Sequence, residues 1–131
     1  MKKIFLLTTI IGSFLISAQA QLANTKWHGT IKIAARNGSL VPMETTWDFH
    51  QDTLYVIYTA GALPTDVSAY SEDNNKVISV HKVSGGVPCE LSDIGKYSYE
   101  IKNDQLFITK ISDACAVRGA ADISQSFDRV K

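Results

Sequence analysis

The side chains of this 131-residue chain that could do chemistry are few and dispersed. Three histidines, His28, His50 and His81, raise the question of a metal, because neutral imidazole is the commonest protein metal ligand. His28 and His50 fall on the outward faces of two expected strands and read as exposed polar positions. His81 is ambiguous. If Val77 and Val83 of its strand point inward, Ser79 and His81 do too, and become polar groups in an apolar lumen, a placement that orients a ligand. If not, His81 faces out. Asp93, Asp104 and Asp113 stand in expected turns, where Asp commonly bonds its own backbone. Ser84-Gly85-Gly86 sets a serine beside glycines with no base to activate it, and reads as a loop. The chain has no G-x-S-x-G, HExxH, P-loop or GxGxxG motif. The expectation is no catalytic residue, no metal and no cofactor.

Cys89 and Cys115 remain. Their spacing is not a CxxC redox motif, and no second pair completes a zinc site. Whether they close depends on the compartment, and the first twenty residues bear on that. Lys2 and Lys3 form a positive start, Ile4–Ile16 is apolar, and Ala18-Gln19-Ala20 is a small-x-small cleavage site. The apolar run of 13 residues falls short of the ~18–20 needed to span a bilayer. Residues 1–20 are expected to be a secretory signal peptide, cut between Ala20 and Gln21. No cysteine at the cut offers a lipid anchor, and no second such run follows, so no membrane anchor is expected after cleavage. Export to the periplasm or the medium is oxidising, so a Cys89–Cys115 disulfide is expected. Its 27-residue loop stabilises by roughly 3.5 kcal/mol in the chain-entropy account.

Composition narrows the partners. The chain has 13 basic and 13 acidic residues, so a net charge of +0, and the basic ones are scattered. Nucleic acid is not an expected partner, because its binders show a basic excess or stripe. With 45% hydrophobic and 20% charged residues the chain is not globally disordered. Taking the 20 leader residues from 131 leaves 111, with 11 basic against 13 acidic. That is one domain with one core, residues 21–131, expected to be a monomer.

The elements that must carry these side chains are strands. Period-2 alternation recurs in short segments, the signature of strands with one buried face. Trp27–Ile33 and Met43–His50 alternate around the turn signal Asn37-Gly38. Leu54–Thr59 is apolar on both faces, Val67–Ser71 is weaker, and Lys76–Val83 has two competing faces. Lys96–Lys102 and Gln105–Ile111 form a hairpin about Asn103-Asp104. Asp113–Gly119 fits a short helical turn, and Asp122–Val130 a last strand. The expected fold class is all-β, an antiparallel up-and-down meander of about eight strands. Such a meander tends to close, because closure removes the edges.

Two ends of the chain carry a resemblance. Asn24-Thr25-Lys26-Trp27-His28-Gly29 is similar to the opening of a lipocalin or other calycin barrel, where a Trp begins the first strand. Near the other end, Asp113-Ala114-Cys115-Ala116-Val117-Arg118 follows the last hairpin, and Phe127-Asp128-Arg129 closes the chain. This resembles the small exported bacterial lipocalin-like proteins, with their D-x-C-x-x-R segment and final aromatic-x-Arg. The resemblance implies a lipocalin-like barrel with an Arg stacked across Trp27 at the closed end. That Arg would be Arg129, with Arg118 as the other candidate. It also implies binding of a small apolar molecule without chemistry. Trp47, Phe49, Tyr97 and Tyr99 lie on faces expected to point inward, and Tyr58 can join them. With His81 they are the candidate ligand-binding set, although the same aromatics could simply fill the barrel. A second reading is a protein-interaction module such as a protease inhibitor, using Gln21–Lys26 as an arm. An enzyme is a third.

Overall fold

The computed structural model describes residues 21–61 and 63–131. The expected signal peptide, residues 1–20, lies outside the described residues, and so does the Ala20 side of the expected cut. Eight strands follow one another: β1 Thr25–Ala34, β2 Leu40–Phe49, β3 Thr53–Tyr58, β4 Asp66–Glu72, β5 Val77–Ser84, β6 Gly95–Lys102, β7 Gln105–Asp113 and β8 Phe127–Arg129. A single helical turn, α1 Ala116–Gly119, lies between β7 and β8, and a short 3₁₀ turn, Thr59–Gly61, follows β3. Each strand pairs antiparallel with the next, and β8 pairs back onto β1, so the meander closes as a barrel. Closure runs through Trp27↔Arg129 and His28↔Asp128 on one side of β8, and Gln105↔Asp128 and Leu106↔Phe127 on the other.

The alternation read in the sequence sets the faces of the strands. Trp27 and Ile31 of β1, Thr45, Trp47 and Phe49 of β2, and Leu54 and Tyr58 of β3 are buried. Tyr97 and Tyr99 of β6 and Leu106 and Ile108 of β7 are buried too. The Asn103-Asp104 turn has φ of 53° and 57°. Those are the left-handed values of a two-residue hairpin whose twist matches its strands. The register skips Val83 opposite Val67 and Ser68 and Ile111 opposite Lys96 and Tyr97, and these bulges bend β5 and β7 toward closure.

Three expectations change. The expected last strand over 122–130 shrinks to Phe127–Arg129, and Asp122 contributes only an isolated bridge to Lys32. Ala114, Cys115 and α1 must first cross the barrel mouth, so little chain is left to pair. Lys76 sits in the preceding turn with φ 58°, outside β5. The third change is the face of β5. Ile78 and Val80 are buried, and His81 is exposed on the outer side. Putting His81 and Ser79 inside would have stripped two polar groups of water without partners. The other face buries two aliphatics and brings Lys82 and Ser84 to the mouth.

The ends of the barrel differ. Strand direction gathers the 21–24 segment and the turns at 50–52, 73–76 and 103–104 at one end. The other end collects the connections 35–39, 59–65, 85–94 and 114–126. The first end is solid. Leu22, Trp27, Phe49, Leu106 and Phe127 are fully buried there, with Phe49 edge-on to Tyr70 at 5.1 Å between ring centroids. Gly29 is required by this packing: a Cβ on it would stand 2.5 Å from Phe127 Cδ1. The Arg129 guanidinium lies 4.4 Å from the centre of the Trp27 ring, and its Nε is 3.3 Å from Asp104 Oδ1.

Candidate functional site

The other half of the barrel is open. A cavity of about 300 Å³ enters between the loops and ends on Trp47. Its wall is aliphatic, with Ile31 of β1, Leu54 and Val56 of β3, and Ile78 and Val80 of β5. They point inward because each falls on the buried phase of its strand. Trp47 forms the boundary between the two halves: it lines the cavity and also packs on Phe127, with ring centroids 4.9 Å apart. Its indole nitrogen is buried and has no hydrogen-bond partner among the described residues.

Polar groups collect at the mouth. Asp66 opens β4 and is buried there. Tyr58 donates to its Oδ2 at 2.6 Å, and the Val87 backbone N–H donates to its Oδ1 at 2.9 Å. One carboxylate therefore ties β3, β4 and the 85–94 connection together. Burial pushes the Tyr58 phenol far up, and the hydrogen bond to Asp66 and its charge add to the rise. Tyr58 stays a donor across the physiological range. Lys82, on the inner phase of β5, and Ser68 and Ser84 complete the polar part of the lining.

Across the mouth lies a second cluster. Asp113 ends β7 with its side chain fully buried. Arg118 Nε reaches Oδ2 at 2.7 Å and Arg118 Nη2 reaches Oδ1 at 2.8 Å, while the Cys115 N–H donates to Oδ1 at 2.8 Å. The Tyr97 hydroxyl donates to Oδ2 as well. Arg118 Nη2 also reaches the Asp93 carbonyl at 3.0 Å. The single turn of α1 folds Arg118 back on a carboxylate five residues earlier, which is the physical content of the D-x-C-x-x-R spacing. Burial alone would raise the Asp113 carboxyl. The hydrogen bonds from Arg118, Tyr97 and Cys115 and the Arg118 charge outweigh it and hold the group below the usual range. Burial, with the hydrogen bond to Asp113, pushes the Tyr97 phenol far up. The Cys89–Cys115 disulfide, with Cα atoms 5.3 Å apart, fastens the 85–94 connection to this cluster.

The structure divides the expected ligand-binding set. Trp47, Tyr58 and Tyr97 line the cavity. Phe49 and Tyr99 are buried in the solid end and do not reach it, and His81 lies outside. Arg118 stands at the mouth, and Arg129 is the arginine against Trp27. His28 and His50 do not meet. His28 Nδ1 is 3.1 Å from Thr46 Oγ1, whereas His50 is 3.5 Å from Asp48 and edge-on to Tyr55. No group of three or more His, Cys, Asp or Glu suited to a metal occurs among the described residues. Gln21–Lys26 is no free arm, since Leu22 is fully buried and Thr25 already belongs to β1. Sequence reasoning missed Asp66 and Lys82. Asp66 follows Gly61 and Pro64, residues typical of a loop, and nothing local distinguishes a turn aspartate from one that the barrel encloses. Comparison with known protein families, curated proteins and solved structures finds no match to this chain.

Proposed function

We propose that this is an exported, calycin-like barrel that binds a small apolar molecule through its open end, without chemistry. The observation that carries the reading is the division of the lumen. One half is packed solid, while the other keeps a largely aliphatic cavity of about 300 Å³ with a few polar side chains, Tyr58, Asp66, Lys82 and Arg118 among them, in its lining. Ligand sites are built this way, with an apolar wall for affinity and a few placed polar groups for orientation. The volume is at the low end for such sites, so the ligand is small. The Trp27–Arg129 stack supports the calycin assignment, and the disulfide is consistent with export.

Native mass spectrometry of protein purified from its own host is expected to show a bound small molecule. In titrations with apolar probes, Trp47 at the cavity floor is the reporter and Trp27 at the solid end is silent. Quenching should persist in Trp27→Phe and vanish in Trp47→Phe. Ligand-free protein together with no quench by lipids, haem or retinoid-like probes would refute the reading.

A further inference from the structure

Two successive backbone nitrogens at the solid end converge on one carboxylate. Gln21 N lies 2.9 Å from Glu72 Oε2, and Leu22 N lies 2.9 Å from Oε1. The Tyr99 hydroxyl donates to the same Oε2 at 3.3 Å. Chain ends normally fray unless something ties them down. Here Leu22 is fully buried, and its carbonyl accepts from Thr25 N at 3.1 Å and Thr25 Oγ1 at 2.5 Å. Thr25 Oγ1 in turn accepts from Trp27 Nε1 at 2.7 Å. Residue 21 is therefore linked through short hydrogen bonds to the residue around which the solid end packs.

Glu72 carries a charge that this arrangement leaves unanswered. Among the described residues no Lys, Arg or His side chain forms an ion pair with it. Asp73 adds a second negative charge close by, which helps push the Tyr99 phenol to about 12 after burial and Glu72 itself. The residue 21 nitrogen thus meets the Glu72 carboxylate, which the Tyr99 phenol shares, and no described Lys, Arg or His forms an ion pair with that carboxylate. We infer that Glu72 and Tyr99 form a receptor for an α-ammonium group on Gln21, so that hydrolysis of the Ala20–Gln21 bond completes the solid end of the barrel. This inference rests on the export reading above. Water cleaves the peptide bond, the leader departs with a carboxylate on Ala20, and the Gln21 nitrogen takes up protons and becomes the missing cation. Before cleavage the same nitrogen is a neutral amide and offers Glu72 one hydrogen bond.

The chemistry of an N-terminal glutamine supplies a readout. Its neutral amine can attack Cδ of its own side-chain amide. An N–Cδ bond forms, the bond from Cδ to the amide nitrogen breaks, ammonia leaves, and the terminal charge is lost. Glu72 opposes this by keeping the amine protonated, which cuts the free amine about tenfold for each unit its titration is raised.

The test compares a chain starting at Gln21 with one starting at Ala18, each with Glu72 and with Glu72→Gln. With Glu72, the Gln21 chain should melt higher than the Ala18 chain. The difference should disappear in Glu72→Gln and shrink toward about 1 M salt, where the screening length falls to ~3 Å. Ammonia loss from the Gln21 chain, followed by mass at neutral pH, should be several-fold faster in Glu72→Gln. An equal melting difference in both backgrounds, or equal cyclisation rates, overturns the inference. If Glu72→Gln does not fold, the salt series decides, and a difference indifferent to salt overturns it. The intact mass of protein recovered from the host tests the export reading separately. A terminus other than Gln21 rejects that reading, whereas the Glu72 comparisons still judge the receptor.

Discussion

Replacing Arg118 by Met keeps most of the side chain's volume and removes its charge. It leaves the Asp113 carboxylate fully buried, with the Tyr97 hydroxyl and the Cys115 N–H as its remaining donors. Breaking a buried pair from one side costs about 3–5 kcal/mol, because the remaining charge is uncompensated. Arg118 keeps 17% of its side-chain surface in water, so the low end, about 3 kcal/mol, applies. For a domain of this size that is roughly 10–15 °C in Tm. The pH dependence is the sharper part. In the parent the Asp113 carboxyl is held below its unfolded value. Its contribution is therefore complete above the unfolded value, ~3.9, and is lost as pH falls from there through the folded one. In Arg118→Met burial dominates and reverses the shift, so acid relieves the variant while it weakens the parent. Urea unfolding followed by circular dichroism at pH 7 and pH 4 should show the gap narrowing in acid. A loss below about 1 kcal/mol, or a gap that stays constant or widens toward pH 4, would refute this account of the cluster.

Two further outcomes follow from the packing. Replacing both Cys89 and Cys115 by Ser should remove roughly 3.5 kcal/mol by the chain-entropy estimate. Proteolysis should then begin in the 85–94 connection, whose tether to the 114–126 segment is gone. Gly29→Ala places a methyl 2.5 Å from Phe127 Cδ1 and should cost about 1–3 kcal/mol in thermal unfolding, as overpacking does. Because Phe127 packs on Trp47, the displaced ring should also alter the Trp47 fluorescence read in probe titrations.

How far the residues announced the site varies from element to element. β1, β2, β6 and β7 were legible because polar and apolar side chains alternate cleanly along them, and the pleat turns alternation directly into inside and outside. β5 was not. Val77, Val83, Ile78 and Val80 make both of its faces apolar, and only its pairing with β4 and β6 decides which one meets the core. β8 was overestimated because Ile123, Gln125 and Phe127 keep strand phase, whereas the chain before Phe127 is committed to crossing the mouth. The aromatic residues were correctly expected inside, but nothing in their spacing separates Phe49 and Tyr99, which fill the barrel, from Trp47, Tyr58 and Tyr97, which bound a cavity.

Read alone, the residues determined the class of fold, the number and order of strands and the inward phase of most of them. These are local properties, set by side-chain alternation and by turn residues that accept positive φ. The tertiary structure alone decided that one end is packed solid and the other hollow. It alone brought Asp66 to Tyr58 and Glu72 to Gln21, partners separated along the chain by 8 and 51 positions. Such meetings depend on strand register and on how the barrel closes. Those are settled by the summed packing of all eight strands and are written in no single segment.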